Sequence, residues 1–212
     1  NDKAVEQYKK VIENYKSTPE ARYAMTGLRN VYVEMNDVDA YFTYLKTLQG
    51  YGDVNLAEKD SLLYASGENL YITGNYGRAA EVFRNYLNEF PNGSFLQNAQ
   101  FYLAESLNAP GGNKEEALKY YTAVAGAPNN QFTEQSLIAA AGIYYGLEDF
   151  TSSLKYYEML EQTASNSENK IIALRGGLRS AYQMGDAQKS ITTADKVINT
   201  VNVPEELFRE AV

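Results

Sequence analysis

Histidine and cysteine are absent from all 212 residues. That removes Ser-His-Asp triads, Cys-His pairs and zinc sites built on nitrogen or sulfur. Carboxylates stand side by side at Glu115-Glu116, Glu148-Asp149 and Glu205-Glu206. A general acid–base pair needs two such groups facing each other across a cleft, whereas neighbours at a helix start simply meet the positive end of its dipole. Asn36-Asp37-Val38-Asp39 opens like a calcium loop but lacks the glycine and terminal glutamate at the required offsets. Ala109-Pro110-Gly111-Gly112-Asn113-Lys114 holds glycine and lysine without the phosphate-loop spacing. Asn92-Gly93-Ser94 spells a glycosylation acceptor, and equally a capping loop between helices. No cofactor, no metal and no enzymatic activity is expected within these residues.

What remains is surface, and the elements that present it are helices. From Leu63 to Pro91 the chain reads as two helices and a tight turn. Leu63, Gly67, Leu70 and Tyr71 share one face of the first, and Ala79, Ala80, Phe83, Tyr86 and Leu87 one face of the second. Gly74-Asn75 ends the first helix and Pro91 the second.

The unit recurs. Small residues open the second helices at Ala4, Ala40, Ala79, Ala117, Ser153 and Ser190, in steps of 36, 39, 38, 36 and 37. Four residues later stand Tyr8, Tyr44, Phe83, Tyr121, Tyr157 and Ala194, aromatic in all but the last case. Tyr32, Tyr71, Tyr145 and Tyr182 close first helices, followed by the turns Asn36-Asp37, Gly74-Asn75, Glu148-Asp149 and Gly185-Asp186. The unit at 93–128 departs from this, with a longer turn at Ala109–Asn113 and no tyrosine before it.

This pattern resembles the tetratricopeptide repeat, a helix–turn–helix unit that stacks into arrays. Gly67, Gly74, Tyr76, Ala79, Phe83 and Pro91 carry the resemblance in the second full unit. The implied fold is all-α, a right-handed α-solenoid of antiparallel helix pairs. Its expected divisions are a partial unit at 1–17, full units at about 18–53, 54–92, 93–128, 129–165 and 166–202, and a partial unit at 203–212. Gly50-Tyr51-Gly52-Asp53 is expected to connect two units, and Ala127-Pro128-Asn129-Asn130 to lead into another. Both ends read as partial units, so a segment of a longer protein is expected.

Charge and hydropathy narrow the partners. Net charge is −8, which argues against nucleic acid, whose phosphates need clustered Lys and Arg. No apolar run is long enough to span a membrane. With 19 Tyr and no Trp, the tyrosines of first helices are either anchors for a protein partner or packing residues that leave only the hydroxyl wet against the next repeat.

The resemblance implies that first helices line a concave groove that takes a peptide or a partner's helix. The corresponding positions are Arg22, Met25, Arg29 and Tyr32 in the first full unit, then Tyr64, Glu68 and Tyr71. They continue as Phe101, Glu105 and Asn108, then Ile138 and Tyr145, then Arg175, Arg179 and Tyr182. The chaperone-tail clamp of some such arrays is not reproduced, because the Lys and Asn companions of Arg175 and Arg179 are missing. The expected function is a non-catalytic protein-interaction scaffold. The alternatives are a structural spacer that self-associates through its ends, and an accessory domain of an enzyme whose catalytic part lies elsewhere. The turns also resemble those of repeat proteins of the bacterial cell envelope, which implies a periplasmic or envelope location, with the cytoplasm as alternative.

Overall fold

The computed structural model describes residues 1–48, 55–128 and 130–212. The expected Gly50–Asp53 connection and Asn129 lie outside the described residues. By internal contacts the chain divides into two compact units, Asn1–Gly112 and Asn113–Val212. The division falls in the long turn that departs from the repeat pattern.

Unit 1 holds α1 (Asp2–Asn14), α2 (Pro19–Glu34), α3 (Val38–Thr47), α4 (Leu56–Ile72), α5 (Tyr76–Glu89) and α6 (Leu96–Asn108). Unit 2 holds α7 (Lys114–Gly126), α8 (Thr133–Gly146), α9 (Phe150–Thr163), α10 (Ser167–Gln183), α11 (Ala187–Ile198) and α12 (Glu205–Ala211). Among the described residues there is no strand, and the fold class is the expected all-α stack of helix pairs. Each helix packs on the next within its unit. Alternate helices also touch, as α2 does α4, α4 does α6 and α8 does α10. That alternation is what a line of stacked pairs produces.

The turns explain why the chain folds back at these points. Asn36, Gly74, Glu148 and Gly185 all sit at positive φ. The next residue's N–H reaches back five positions in three cases, Asp37 to Tyr32, Asn75 to Leu70 and Asp149 to Tyr144. This is the left-handed helix ending that satisfies otherwise orphaned carbonyls. Asp37, Asp149 and Asp186 then cap the following helix through side-chain bonds to Ala40, Ser152 and Lys189 N–H. The paired carboxylates are thus helix-start residues: Glu115 and Glu116 occupy the first turn of α7, Glu205 and Glu206 that of α12. Asp39, in the calcium-like run, instead pairs with Lys59 at 2.8 Å.

Of the small-residue markers, Ala79, Ala117 and Ser153 are fully buried, while Ala4, Ala40 and Ser190 are half-buried. Ser153 does more than fill space, since its hydroxyl donates to the Ala141 carbonyl and meets Ser180 Oγ, each at 2.9 Å, tying α8, α9 and α10. Of the aromatics four residues on, Phe83 and Tyr121 are fully buried and Tyr44 nearly so, while Tyr8 and Tyr157 are half-buried.

Three of these rings lie against a glycine of a neighbouring helix, on α2, α4 and α10. A Cβ built on Gly67 would come within 2.8 Å of the Phe83 ring, one on Gly27 within 2.5 Å of Tyr8, and one on Gly176 within 2.2 Å of Tyr157. The ring's freedom to move sets the cost. Phe83 is wholly enclosed, whereas Tyr157 can swing toward solvent. Gly67→Ala is therefore expected to destabilise by about 1–3 kcal/mol through overpacking, and Gly176→Ala by less despite its shorter distance. Urea denaturation of the two variants checks the order; an equal or reversed order contradicts the account.

Candidate functional site

The leading helices α2, α4 and α6 of unit 1, and α8 and α10 of unit 2, carry the expected site residues, and α12, the next leading helix, carries none. The structure separates those residues into packing and surface. Tyr32, Tyr64 and Phe101 are only 5%, 6% and 6% exposed, so they are corrected from groove contacts to packing residues. Tyr32 lies tilted against Tyr41, Tyr64 stacks flat on Phe95 at 4.4 Å, and Phe101 meets Tyr102 edge-on. Ile138 is half-buried against the cluster of Ala125, Leu137, Leu160 and Ala173. A side chain that the neighbouring helix already covers cannot also cover a partner.

The remaining residues reach solvent. In unit 1 these are Arg22, Met25, Arg29, Glu68, Tyr71, Glu105 and Asn108, all exposed or half-buried. Arg29 leans toward Glu58 at 3.9 Å, and its Nε is enclosed without a hydrogen-bond partner. Tyr64 donates its hydroxyl to Glu68 Oε1 at 2.7 Å, and Tyr71 donates to Glu105 Oε2 at 3.3 Å. The Tyr71 ring stands 4.9 Å from that of Tyr102 and 5.5 Å from that of Tyr76.

Tyr102 belongs on this face and Phe101 does not. Both fit a 3.6 period, so spacing on α6 leaves the choice open. What decides it is Tyr71 on one side and Phe83 on the other, the latter stacked at 6.0 Å. The readable signal is the triplet Asn98, Tyr102 and Glu105, polar or amphipathic at intervals of four and three.

Burial, helped by the nearby Glu105 carboxylate, pushes the Tyr71 phenol up to about 12 from its ordinary 10. A raised pKa means the folded state holds that proton more tightly. The associated stability is whole below pH 10 and is lost as pH rises through about 12. Tyr71→Phe, which has no proton to lose, is expected to weaken the alkaline fall in stability over that window. Melting temperatures across alkaline pH, with phenolate absorbance recorded in parallel, check it; a variant that falls as steeply as wild type contradicts it.

In unit 2 the accessible residues are Tyr145, Arg175, Arg179 and Tyr182, the last 74% exposed. Tyr145 packs edge-on against Phe150 at 5.2 Å. Arg179 grips Glu210 of α12 with two bonds, Nε at 3.2 Å and Nη2 at 2.7 Å. That pairing holds the Glu210 carboxyl below and the Arg179 guanidinium above its usual range. Tyr145, Leu178, Arg179, Tyr182 and Ile191 border a cavity of about 630 Å³. The site residues of unit 1 thus mix arginines, Arg22 and Arg29, with glutamates, Glu68 and Glu105, while those of unit 2 include Arg175 and Arg179. Among the described residues no group of acidic side chains could hold a metal ion, and no helix is long and apolar enough to cross a membrane.

The family model of the tetratricopeptide repeat matches residues 98–129. Among solved structures, nearly identical TPR-like repeats of kinesin-light-chain type from Podosopora anserina superpose with a TM-score of 0.51 at 14% identity, covering 92% of this chain and 95% of that one. The apo form of the quorum sensor NprR from B. thuringiensis aligns with a TM-score of 0.48 at 18% identity, covering 98% of this chain and 61% of that one. No curated protein matches the chain. At 14% identity the likeness to the kinesin-light-chain-type repeats is one of fold.

Proposed function

We propose that this chain, a helical-repeat protein with a tetratricopeptide repeat at residues 98–129, is a non-catalytic scaffold that binds a protein partner through its leading helices. One observation carries the reading. Leading helices touch one another in a row within each unit, so half-exposed side chains from successive helices share a face. Tyr71 and Tyr102 in unit 1, and Tyr145, Arg175 and Tyr182 in unit 2, supply the Tyr and Arg anchors favoured at binding hot spots.

A location in the cell envelope is part of this proposal, supported by the resemblance of the repeat turns and by the lack of cysteine. The test is capture from envelope extract with wild type and a Tyr71→Ala, Tyr145→Ala, Arg179→Ala variant. Loss of the same partner at unchanged helicity supports the site. An unchanged partner retires it, and light scattering that rises with concentration in the absence of any partner favours a self-associating spacer.

A further inference from the structure

Asn92 is the one asparagine of this chain that is followed by glycine. It stands exposed in the turn between α5 and α6, outside any helix. That pair of residues carries a reaction of its own. The backbone nitrogen of the following residue can attack an asparagine side-chain carbonyl, and glycine, with no Cβ, leaves the approach uncrowded. The glycosylation reading of Asn92-Gly93-Ser94 needs an external enzyme, whereas this reaction needs only water.

The structure holds the attacking atom in place. Gly93 N–H donates to the Phe90 carbonyl at 3.0 Å, and the Gly93 carbonyl accepts from Leu96 N–H at 3.2 Å. Gly93 also rests on a buried polar lock. Asp60, only 6% exposed, accepts the Tyr86 hydroxyl at 2.5 Å and the Ser94 N–H at 2.9 Å. The Tyr86 oxygen in turn accepts from Phe95 N–H at 3.0 Å. A Cβ built on Gly93 would clash with the Tyr86 hydroxyl and come within 3.1 Å of Asp60 Oδ1. To reach the Asn92 side chain, the Gly93 nitrogen must leave Phe90 and lift off this lock.

We propose that Asn92 is a deamidation site whose rate is set by the opening of the Asp60 lock. With the lock open, Gly93 N gives up its proton and bonds to Asn92 Cγ. The bond from Cγ to the side-chain nitrogen breaks, and ammonia leaves with that proton. Water then opens the resulting five-membered imide at either carbonyl, adding its hydroxyl to the carbon and its proton to the nitrogen. One opening gives aspartate and the other isoaspartate. Both place a new carboxylate in the hollow that Asn92 borders together with Asp60 and Glu89. Isoaspartate also makes the chain one methylene longer, just before the two N–H groups that Ser94 and Phe95 bring to the lock. Conversion therefore works against the closed joint of α4, α5 and α6.

The experiment is peptide mapping of the whole chain by mass spectrometry during incubation in mildly alkaline buffer, with a capped peptide of residues 89–96 alongside. Wild type is expected to convert at Asn92 about tenfold or more slowly than the peptide, since only the locally opened loop reacts. Asp60→Ala at unchanged helicity is expected to convert about tenfold faster than wild type, with the milder Tyr86→Phe between them. Phe83→Ala truncates the core of the same unit but leaves the Asp60 bonds in place, so it accelerates Asn92 less than Asp60→Ala does. If Phe83→Ala is as fast as Asp60→Ala or faster, global unfolding admits the reaction and the gating is overturned. Wild type as fast as the peptide, or both lock variants as slow as wild type, overturns the gating too. Asn92 intact in the lock variants after the peptide has fully converted overturns the site itself.

Discussion

Phe83→Ala costs unit 1 about 3–5 kcal/mol, the loss expected when a fully enclosed aromatic is truncated. The side chain is 0% exposed, and its ring lies 6.1 Å from Tyr64 and 6.0 Å from Tyr102. It also presses on Gly67, so α4, α5 and α6 meet on this one ring. Neighbours anchored in three helices cannot collapse into the space, which places the cost toward the upper part of the range. Urea denaturation followed by helicity measures it. A loss under about 1 kcal/mol contradicts the packing described here. Because Tyr64 and Tyr102 rest on Phe83, the variant is also expected to blur the tyrosine ring signals of the leading-helix face.

Asp60→Ala is the second large effect. Asp60 is 6% exposed, and its carboxylate accepts the Tyr86 hydroxyl at 2.5 Å and the Ser94 N–H at 2.9 Å. Tyr86 in turn accepts from the Phe95 N–H at 3.0 Å. One carboxylate thereby joins α4, α5 and the loop that leads into α6. Alanine leaves the buried Tyr86 hydroxyl without a partner, at about 1–3 kcal/mol, and the partly buried Ser94 N–H at less, so a total of roughly 2–4 kcal/mol is expected. Asp60→Asn keeps one acceptor and is expected to fall between alanine and wild type. Tyr86→Phe removes one bond to Asp60 and the acceptor for Phe95, and so separates the two halves of the device. Thermal melts of the three variants give the order; Asp60→Ala with an unshifted midpoint contradicts it.

Much of the fold is legible because its signals are local. The turn at Asn36-Asp37 or Glu148-Asp149 declares itself by residues that accept a left-handed backbone or cap the next helix. Gly67 declares a close approach, and the position of Phe83 names the ring that fills it. The polar lock at Asp60 is not legible, since its partners lie 26 and 34 residues away and an acid inside a helix ordinarily faces water. Gly176 escapes for a related reason: in Arg175-Gly176-Gly177 nothing in the sequence says which glycine meets Tyr157.

The candidate site is legible as a set of helices but only in part as a set of side chains. Tyr71 and Tyr145 reach solvent, whereas Tyr32 and Tyr64 are covered by Tyr41 and Phe95. Those covering rings come from the following helix and from the loop before α6, so the difference is set by tertiary neighbours. Glu210, which occupies Arg179, is likewise 31 residues distant and carries no mark of that role in its own surroundings.

Site-directed photo-crosslinking tests the central claim most directly, with the reactive group placed in turn at Met25, Tyr71, Tyr145 and Arg175 on leading helices and at Glu81, Lys119, Lys155 and Lys189 on the exposed surface of trailing helices. The account predicts that, within each unit, a partner is crosslinked from the leading-helix positions and not from the trailing-helix positions. Crosslinks confined to the trailing-helix positions contradict it.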